Sequence, residues 1–311
     1  MSALAIINPR SAGGRTGKDV SAIAKKLRAA LGDLDIAVTK GPMDAARLSR
    51  EGLAKGHTLI VAIGGDGTLS EVVNGFFENG QPVAPEAAFG FVMAGTGGDF
   101  RKTFGIAEGI DAGIAHLATA GTRMLDIGRL SFTAPGGETR ERYFNNIASF
   151  GLSGAVVDAV NRARFTKLFG GPFAFAVNSL TSMMRYNNKP VRIQVDDHFD
   201  EPLDVSTVAV CNGQYFGGGM RMAPDAAPDD GQFDVVMMFG TSKREAMTGL
   251  GDIYTGAHLK NPKVKVARGR KVVATPVTAK RGPVLIDADG EQPGRLPATF
   301  EIMPRALKVR C

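Results

Sequence analysis

The chain has 311 residues, 44% hydrophobic and 22% charged, with 37 Lys+Arg against 31 Asp+Glu for a formal charge of +6. That length suggests about two globular domains, the apolar content excludes a disordered chain, and Cys211 and Cys311 are too few for a disulfide scaffold. Glycine is in surplus: 40 residues, about 13% against a usual share of roughly 7%, with no G-x-y period, so the excess belongs in loops.

The opening MSALAIINPRS has neither a basic n-region nor a cleavage site and reads as a first buried strand, Ala3 to Ile7. With two lone thiols, the expected compartment is the cytoplasm. Helical spacing over Val20 to Leu31 and Asp44 to Leu53 alternates with strands at Asp35 to Thr39 and Thr58 to Ile63, which predicts a parallel sheet covered by helices. Thr58 to Ile63 runs directly into Gly64-Gly65-Asp66-Gly67-Thr68 and then into an amphipathic helix, Leu69 to Phe77. Strand, glycine turn and helix N-terminus in that order suit an anion, because backbone N–H groups can approach a phosphate and the helix dipole favours negative charge. Thr68 and Glu71 also have the spacing of a capping box, but capping needs neither three glycines nor Asp66. A carboxylate beside phosphate implies Mg²⁺.

A strand at Ala88 to Met93 leads to a second loop of the same character, Ala94-Gly95-Thr96-Gly97-Gly98-Asp99-Phe100, and a helix at Gly109 to Ala118 follows. Paired loops on neighbouring strands converge on one crevice in an open α/β sheet. Neither loop is a Walker A motif or a G-x-G-x-x-G fingerprint.

After about Asp126 the texture becomes β-rich, with strands expected at Arg142 to Ser149, Val191 to Val195, Val205 to Cys211, Phe233 to Phe239 and Val284 to Asp287, and a hairpin around Gly269. The apolar run Leu168 to Met184 is 17 residues and carries Pro172 and four polar side chains, too short for a membrane span and suited to burial or to one wall of a lipid pocket. Between Asp252 and Asp287 lie eight basic residues and no acid, Lys260, Lys263, Lys265, Arg268, Arg270, Lys271, Lys280 and Arg281, so the rest of the chain is slightly acidic. Such a block suits an anionic surface or a solvated strand face.

The residues Gly64 to Thr68 with Glu71, Val72, Asn74 and Gly75, and then Gly95-Thr96-Gly97 with Asp99-Phe100, resemble the catalytic domain of the diacylglycerol and sphingosine kinase family, in particular its soluble bacterial lipid kinases. Asn8-Pro9 with Ser11 and Gly13, Phe150-Gly151, Asn212-Gly213, Gly217 to Gly219 and Asp289-Gly290-Glu291 extend the resemblance over nearly the whole chain. NAD kinases share G-G-D-G-T, and the second loop separates the two. Gly98 departs from the family, which has Asn there.

The resemblance implies a Rossmann-like three-layer α/β nucleotide domain over 1–127, with 297–311 returning to it, and a β-sandwich lipid-substrate domain over 128–296. It implies ATP bound by Thr39, Gly64, Gly65, Asp66, Gly67, Thr68, Leu69, Ser70, Glu71, Gly95 and Thr96. Asp66 with Asp99 and Asp126 would hold catalytic Mg²⁺, and Glu291 would be the general base on the lipid hydroxyl. A structural Mg²⁺ would sit on Asp230 with the carbonyls of Ala227 and Gln232. The expected protein is thus a lipid kinase with a lipid substrate, working from the cytoplasm at an anionic membrane surface; a homodimer is left open. Rival readings are an NAD kinase-like small-molecule kinase, a non-catalytic homologue that keeps the fold, and, third, a nucleic-acid binder. With only Tyr254 as an aromatic in the basic block, base stacking is poorly supported and no nucleic-acid partner is expected.

Overall fold

The computed structural model describes residues 2–95, 97–162 and 181–311. Thr96 and most of the apolar run Leu168 to Met184 lie outside the described residues. Two compact units emerge: Met1–Ile127 with Tyr143–Asn145 and Met303–Cys311, and Gly128–Arg142 with Asn146–Ile302. Residues 297–302 therefore count with the second unit, and only the last nine residues with the first.

In the first unit, β1 (Ala3–Ile7), β2 (Asp35–Val38), β3 (Leu59–Gly64) and β6 (Ala88–Met93) are parallel in the order β2-β1-β3-β6, and the end of β18 (Arg295–Arg310) joins parallel to β6. Every residue of β1, β3 and β6 is buried, as expected of parallel strands covered on both faces. Alternation divides them. Leu4, Ile6, Ile60 and Phe89 pack with Leu53 of α3 (Asp44–Ala54) and Leu69 and Val73 of α4 (Asp66–Gly75). Ala5, Ile7, Val61 and Ile63 pack on the other face, with Ile23 and Leu27 of α2 (Val20–Leu31) and Leu117 of α6 (Ile110–Thr119). The short helices α1 (Arg15–Lys18) and α5 (Asp99–Thr103) and the small ribbon of β4 (Phe77–Glu78) and β5 (Gln81–Pro82) complete this unit.

Helices α3 and α4 approach closely because Gly75 has no side chain: a Cβ there would lie 2.5 Å from the Ala46 carbonyl and from Ser49 Cβ. Asn74 beside it exchanges two bonds with Tyr143, its Nδ2 donating to the Tyr143 carbonyl at 2.7 Å and its Oδ1 accepting the Tyr143 N–H at 2.9 Å. This pair accounts for the placement of Tyr143–Asn145 in the first unit.

The second unit contains the second half of β7 (Thr122–Thr133) and most of β8 (Thr139–Phe144), then β9 (Ile147–Gly151), α7 (Leu152–Arg162), β10 (Lys189–Val195), β11 (Phe199–Cys211), the β12 (Tyr215–Phe216) and β13 (Met220–Arg221) pair, β14 (Phe233–Phe239), α8 (Lys243–Thr248), α9 (Leu250–Thr255), β15 (Val264–Gly269), β16 (Lys271–Pro276), β17 (Ile286–Ala288) and the start of β18. It is a mixed, largely antiparallel sandwich-like unit organised by β11. Residues 199–205 of that strand pair with β10; beyond an irregularity at Ser206, residues 207–211 pair with β9, while β14 follows the same half from the other side. One long strand that changes partners midway is how a sheet splits into branches.

Two expectations are corrected here. The run Arg142 to Ser149 is two strands, β8 and β9, broken at Asn145-Asn146. The segments around Gly269 do not form a hairpin: β15 pairs with β14, and β16 pairs with β10 and β18. The Asp196 carboxylate accepts the N–H groups of Arg270 and Lys271 and turns the chain from one branch into the other.

Gly75→Ala is expected to destabilise the chain by about 1–3 kcal/mol in urea unfolding, the usual cost of overpacking. Gly121→Ala, with open space around it, should leave the midpoint unchanged. Matching midpoints for the two variants would show that the α3–α4 contact yields.

Candidate active site

The glycine loops occupy the carboxyl edge of the parallel sheet. β3 and β6 are neighbours, the Ala94 N–H donates to the Gly64 carbonyl at 2.8 Å, and a Cβ on Gly95 would lie 3.8 Å from Gly65 Cα. The link between the loops is Asp66. Its Oδ2 accepts the N–H groups of Gly98 at 3.0 Å and Asp99 at 3.3 Å, and its Oδ1 that of Phe100 at 3.3 Å, so it caps α5 from a different loop. A Cβ on Gly97 would lie 3.0 Å from Oδ2, so the missing side chain lets the carboxylate in. Burial pushes the Asp66 carboxyl above its usual range, the neighbouring Asp99 adds to this, and the three amides pull the other way.

Gly98 adopts φ 65, ψ 42, the left-handed region that Gly and Asn enter with least strain. Gly98 therefore meets the backbone requirement of this position without strain.

The capping box is not formed. Helix α4 begins at Asp66, so Thr68 lies inside its first turn, where Oγ1 accepts from Asn8 Nδ2 at 2.9 Å; Glu71 reaches away to the Ala45 N–H of α3 at 3.2 Å. Leu69 and Ser70 are fully buried against the core. What this turn can offer a ligand is main chain, since the leading N–H groups of a helix have no intrahelical acceptor. Thr39 follows β2 at the same edge, is buried, and donates its N–H to the Ile7 carbonyl at 3.0 Å. Asp99 is buried and paired with Lys102 at 2.9 Å. Asp126 is completely buried and accepts the Arg305 N–H at 2.7 Å, so the returning strand covers it.

In the second unit, Asp289-Gly290 is the tip of a tight hairpin closed by Ala288 and Glu291, with φ 49 and φ 88 at its two central residues. Asp-Gly is the expected pair where both central residues need positive φ. The three carboxylates around it differ in role. Asp289 is buried and accepts the N–H groups of Asn146 at 3.2 Å and Ile147 at 3.1 Å. Asp287 is buried, accepts the Gly290 N–H at 2.8 Å and bonds Ser149 Oγ at 3.2 Å; burial pushes its carboxyl up to about 7, and Asp289 adds to the rise. Glu291 alone is accessible, its side chain 34% exposed, with Oε2 held by Arg142 Nη2 at 2.6 Å. Its Oε1 has no partner among the described residues. Arg142 escaped sequence reading, because a partner 149 positions away leaves no periodic signal.

Asp230, the expected ligand of a structural cation, lies in the turn before β14. It accepts the Gln232 N–H at 3.0 Å and is ion-paired with Arg268, which stands opposite the buried Asp234 in the β14–β15 register and lies 3.5 Å from its carboxylate. Among the described residues no group of three or more His, Cys, Asp or Glu could hold a metal ion. The basic block is also largely matched: Lys263, Lys265, Arg268, Lys271 and Arg281 pair with Glu245, Glu201, Asp230, Glu301 and Asp204. Neither cysteine is in a disulfide, and Cys211 is buried. Among the described residues no helix is long and apolar enough to cross a membrane.

Comparison with known proteins agrees with these features. The diacylglycerol kinase catalytic domain matches residues 2–130, and the YegS C-terminal NAD kinase beta sandwich-like domain matches 146–311. A diacylglycerol kinase of Staphylococcus haemolyticus is 28% identical over 310 residues, covering 98% of this chain and 86% of the relative. One of Mycobacterium tuberculosis is 26% identical over 307 residues, covering 98% and 93%. Among solved structures, a diacylglycerol kinase from Bacillus anthracis shares the fold with a TM-score of 0.69 at 20% identity, covering 99% of this chain and 96% of the other. Yeast NADH kinase is more distant, with a TM-score of 0.52 at 11% identity, covering 99% and 82%. With both halves matched in order, the chain belongs to the diacylglycerol kinase catalytic-domain family of lipid kinases.

Proposed function

We propose that the protein transfers the γ-phosphoryl group of ATP to a hydroxyl of a diacylglycerol-like lipid. The observation that carries this reading is the Asp66 carboxylate joining two glycine loops at the edge of a parallel sheet, an arrangement suited to a nucleotide's phosphates and their cation. The names of the curated relatives support the lipid acceptor.

The main-chain N–H groups of the Gly64 to Thr68 turn, with Glu71 fixing the helix behind them, bind the phosphates, with Thr39 and Gly95 as further nucleotide contacts; the same role is assigned to Thr96 from the family resemblance alone. Mg²⁺ fits here, because this ion takes one or two protein carboxylates and completes its shell with phosphate oxygens and water. Three of the roughly four lone-pair positions of Asp66 are taken, leaving one for the ion directly or through water. Asp99 lies beside it, and Asp126 acts from behind through the backbone that it orders. When bound, Mg²⁺ neutralises charge on the transferred group.

Glu291 takes the acceptor's proton on Oε1 while Arg142 holds Oε2, so that the new O–P bond forms as the bond to the ADP leaving group breaks. The protein is a peripheral enzyme of the cytoplasmic membrane face. A structural Mg²⁺ on Asp230 and the carbonyls of Ala227 and Gln232 would compete with Arg268 for the Asp230 carboxylate.

Purified protein incubated with γ-labelled ATP, Mg²⁺ and a total lipid extract should place label in the organic phase. Label confined to a water-soluble product would overturn the lipid acceptor and favour an NAD kinase-like activity. Glu291→Gln should lower kcat by about a hundredfold or more, the range of general-base contributions, with unchanged unfolding; a wild-type rate refutes the assignment. EDTA should leave the thermal midpoint of nucleotide-free protein unchanged, and a fall would put a structural cation back at Asp230. Asp287 supplies a pH signature. With its value raised from 3.8 to about 7, its contribution to stability is complete below the unfolded value and is lost as pH rises through 7. Asp287→Asn should therefore gain stability relative to wild type between about pH 4 and pH 8 in urea unfolding; a difference flat with pH contradicts the buried, protonated carboxyl.

A further inference from the structure

The second unit contains a cavity of about 800 Å³ bordered by Arg185, Lys189, Lys243 and Arg281, with Asp204 as its single carboxylate. Its walls are cross-braced. Asn188 accepts from Ser206 Oγ at 2.9 Å and donates to the Thr241 carbonyl at 3.1 Å, and Arg281 donates to the Asn188 carbonyl at 3.0 Å and to Asp204 at 3.1 Å. Lys189 donates to the Pro283 carbonyl at 2.5 Å, and its ammonium lies 5.7 Å from the Tyr186 ring centroid. Burial pulls the Lys189 ammonium below its usual range, the response of a cation whose counter-charge is missing. Among the described residues, Arg185 and Lys243 have no ion-pair partner; both are exposed. Glu245, the acid nearest Lys243 in sequence, is occupied by Lys263 and by Ser242.

Lys243 also opens α8, and along α8 and α9 the side chains of Met247, Leu250 and Tyr254 are 48%, 40% and 50% exposed. Their spacing of three and four residues places them along one side of nearly continuous helix, with Met247 one turn beyond Lys243. Gly249 between the two helices keeps right-handed helical angles, φ −83 and ψ −1. A cationic cavity at the head of an exposed apolar stripe has the chemistry of a membrane-interface element: the stripe suits the acyl boundary and the cavity a phosphate. Arginine forks match phosphate oxygens in pairs.

We infer that this cavity and the α8–α9 stripe together form a docking surface for an anionic membrane, the cavity taking the phosphate headgroup of an acidic phospholipid. The inference rests on the lipid-kinase reading only for what the surface serves. Its test uses no ATP, so failure here leaves that reading standing.

Co-sedimentation with phosphatidylcholine vesicles, with and without phosphatidylglycerol, compares the wild type with three double variants. Wild type should bind only the anionic vesicles, and less at high salt. Arg185→Gln with Lys243→Gln should weaken binding roughly tenfold or more, as each basic group near an anionic surface contributes about a factor of five. Met247→Ser with Leu250→Ser should weaken it comparably. Lys260→Gln with Lys280→Gln, which removes the same charge from exposed positions outside the cavity, should change it less than about twofold. All variants should keep the wild-type urea midpoint. Equal losses from the cavity and control variants, or wild-type binding by the Met247/Leu250 variant, would overturn the proposal. So would a thermal shift with inorganic phosphate that the cavity variant abolishes while vesicle binding stays intact, because the site would then serve a soluble anion.

Discussion

The carboxyl edge of the first unit's parallel sheet depends on one carboxylate serving two loops. Asp66 begins α4 and at the same time caps α5, so the turn after β3 and the turn after β6 cannot move independently. This arrangement explains the glycines around it: a Cβ on Gly97 would crowd the carboxylate at 3.0 Å, and Gly98 takes the left-handed angles from which three successive amides point at it. It also places the group in electrostatic tension, since burial and Asp99 disfavour its charge while the amides favour it. A divalent ion arriving with nucleotide phosphates would relieve that tension and leave the amide bonds in place. Loop geometry is therefore set before ligand binds, which spares the ordering cost at the moment of reaction.

The second unit uses a related device with a different division of labour. Three acids within five residues, Asp287, Asp289 and Glu291, share one hairpin, but strand alternation and the turn send two inward and leave one accessible. The inward pair bond the start and middle of β9, Asp289 through the Asn146 and Ile147 amides and Asp287 through Ser149. The outward one is held by Arg142 at one oxygen only. A general base gains from this, because a carboxylate on a braced hairpin keeps its angle to the acceptor when its neighbours fluctuate.

Much of this architecture was legible in the sequence. Fully apolar β1 and β6 were bounded to the residue, and so was α2, because strands buried on both faces and helices with one apolar face leave strong periodic signals. The two glycine loops at the carboxyl ends of β3 and β6 were legible because strand, turn and helix follow one another locally. What escaped is long-range. Thr68 and Glu71 have capping-box spacing but spend their side chains on Asn8 and Ala45, since the helix starts two residues before Thr68. The Gly269 region has hairpin composition, but Asp196 in the turn after β10 redirects it. The basic block reads as a single charged tract, but Lys263, Lys265 and Arg268 pair with Glu245 of α8, Glu201 of β11 and Asp230 in the turn before β14. In each case the deciding partner lies far along the chain, where composition and spacing carry no information.

The two units are not consecutive beads. The chain passes between them four times, at 127/128, 142/143, 145/146 and 302/303. Tyr143 completes the packing of α4 from within what is otherwise second-unit sequence, and the final strand supplies the parallel neighbour of β6 and the amide that covers Asp126. No single cut yields two self-sufficient pieces: a fragment ending at residue 130, where the catalytic-domain match stops, would expose one edge of its sheet and uncap a buried acid. The first unit therefore depends on the last nine residues of the chain: a truncation that removes them would free one edge of β6 and uncover Asp126 while leaving both glycine loops in place.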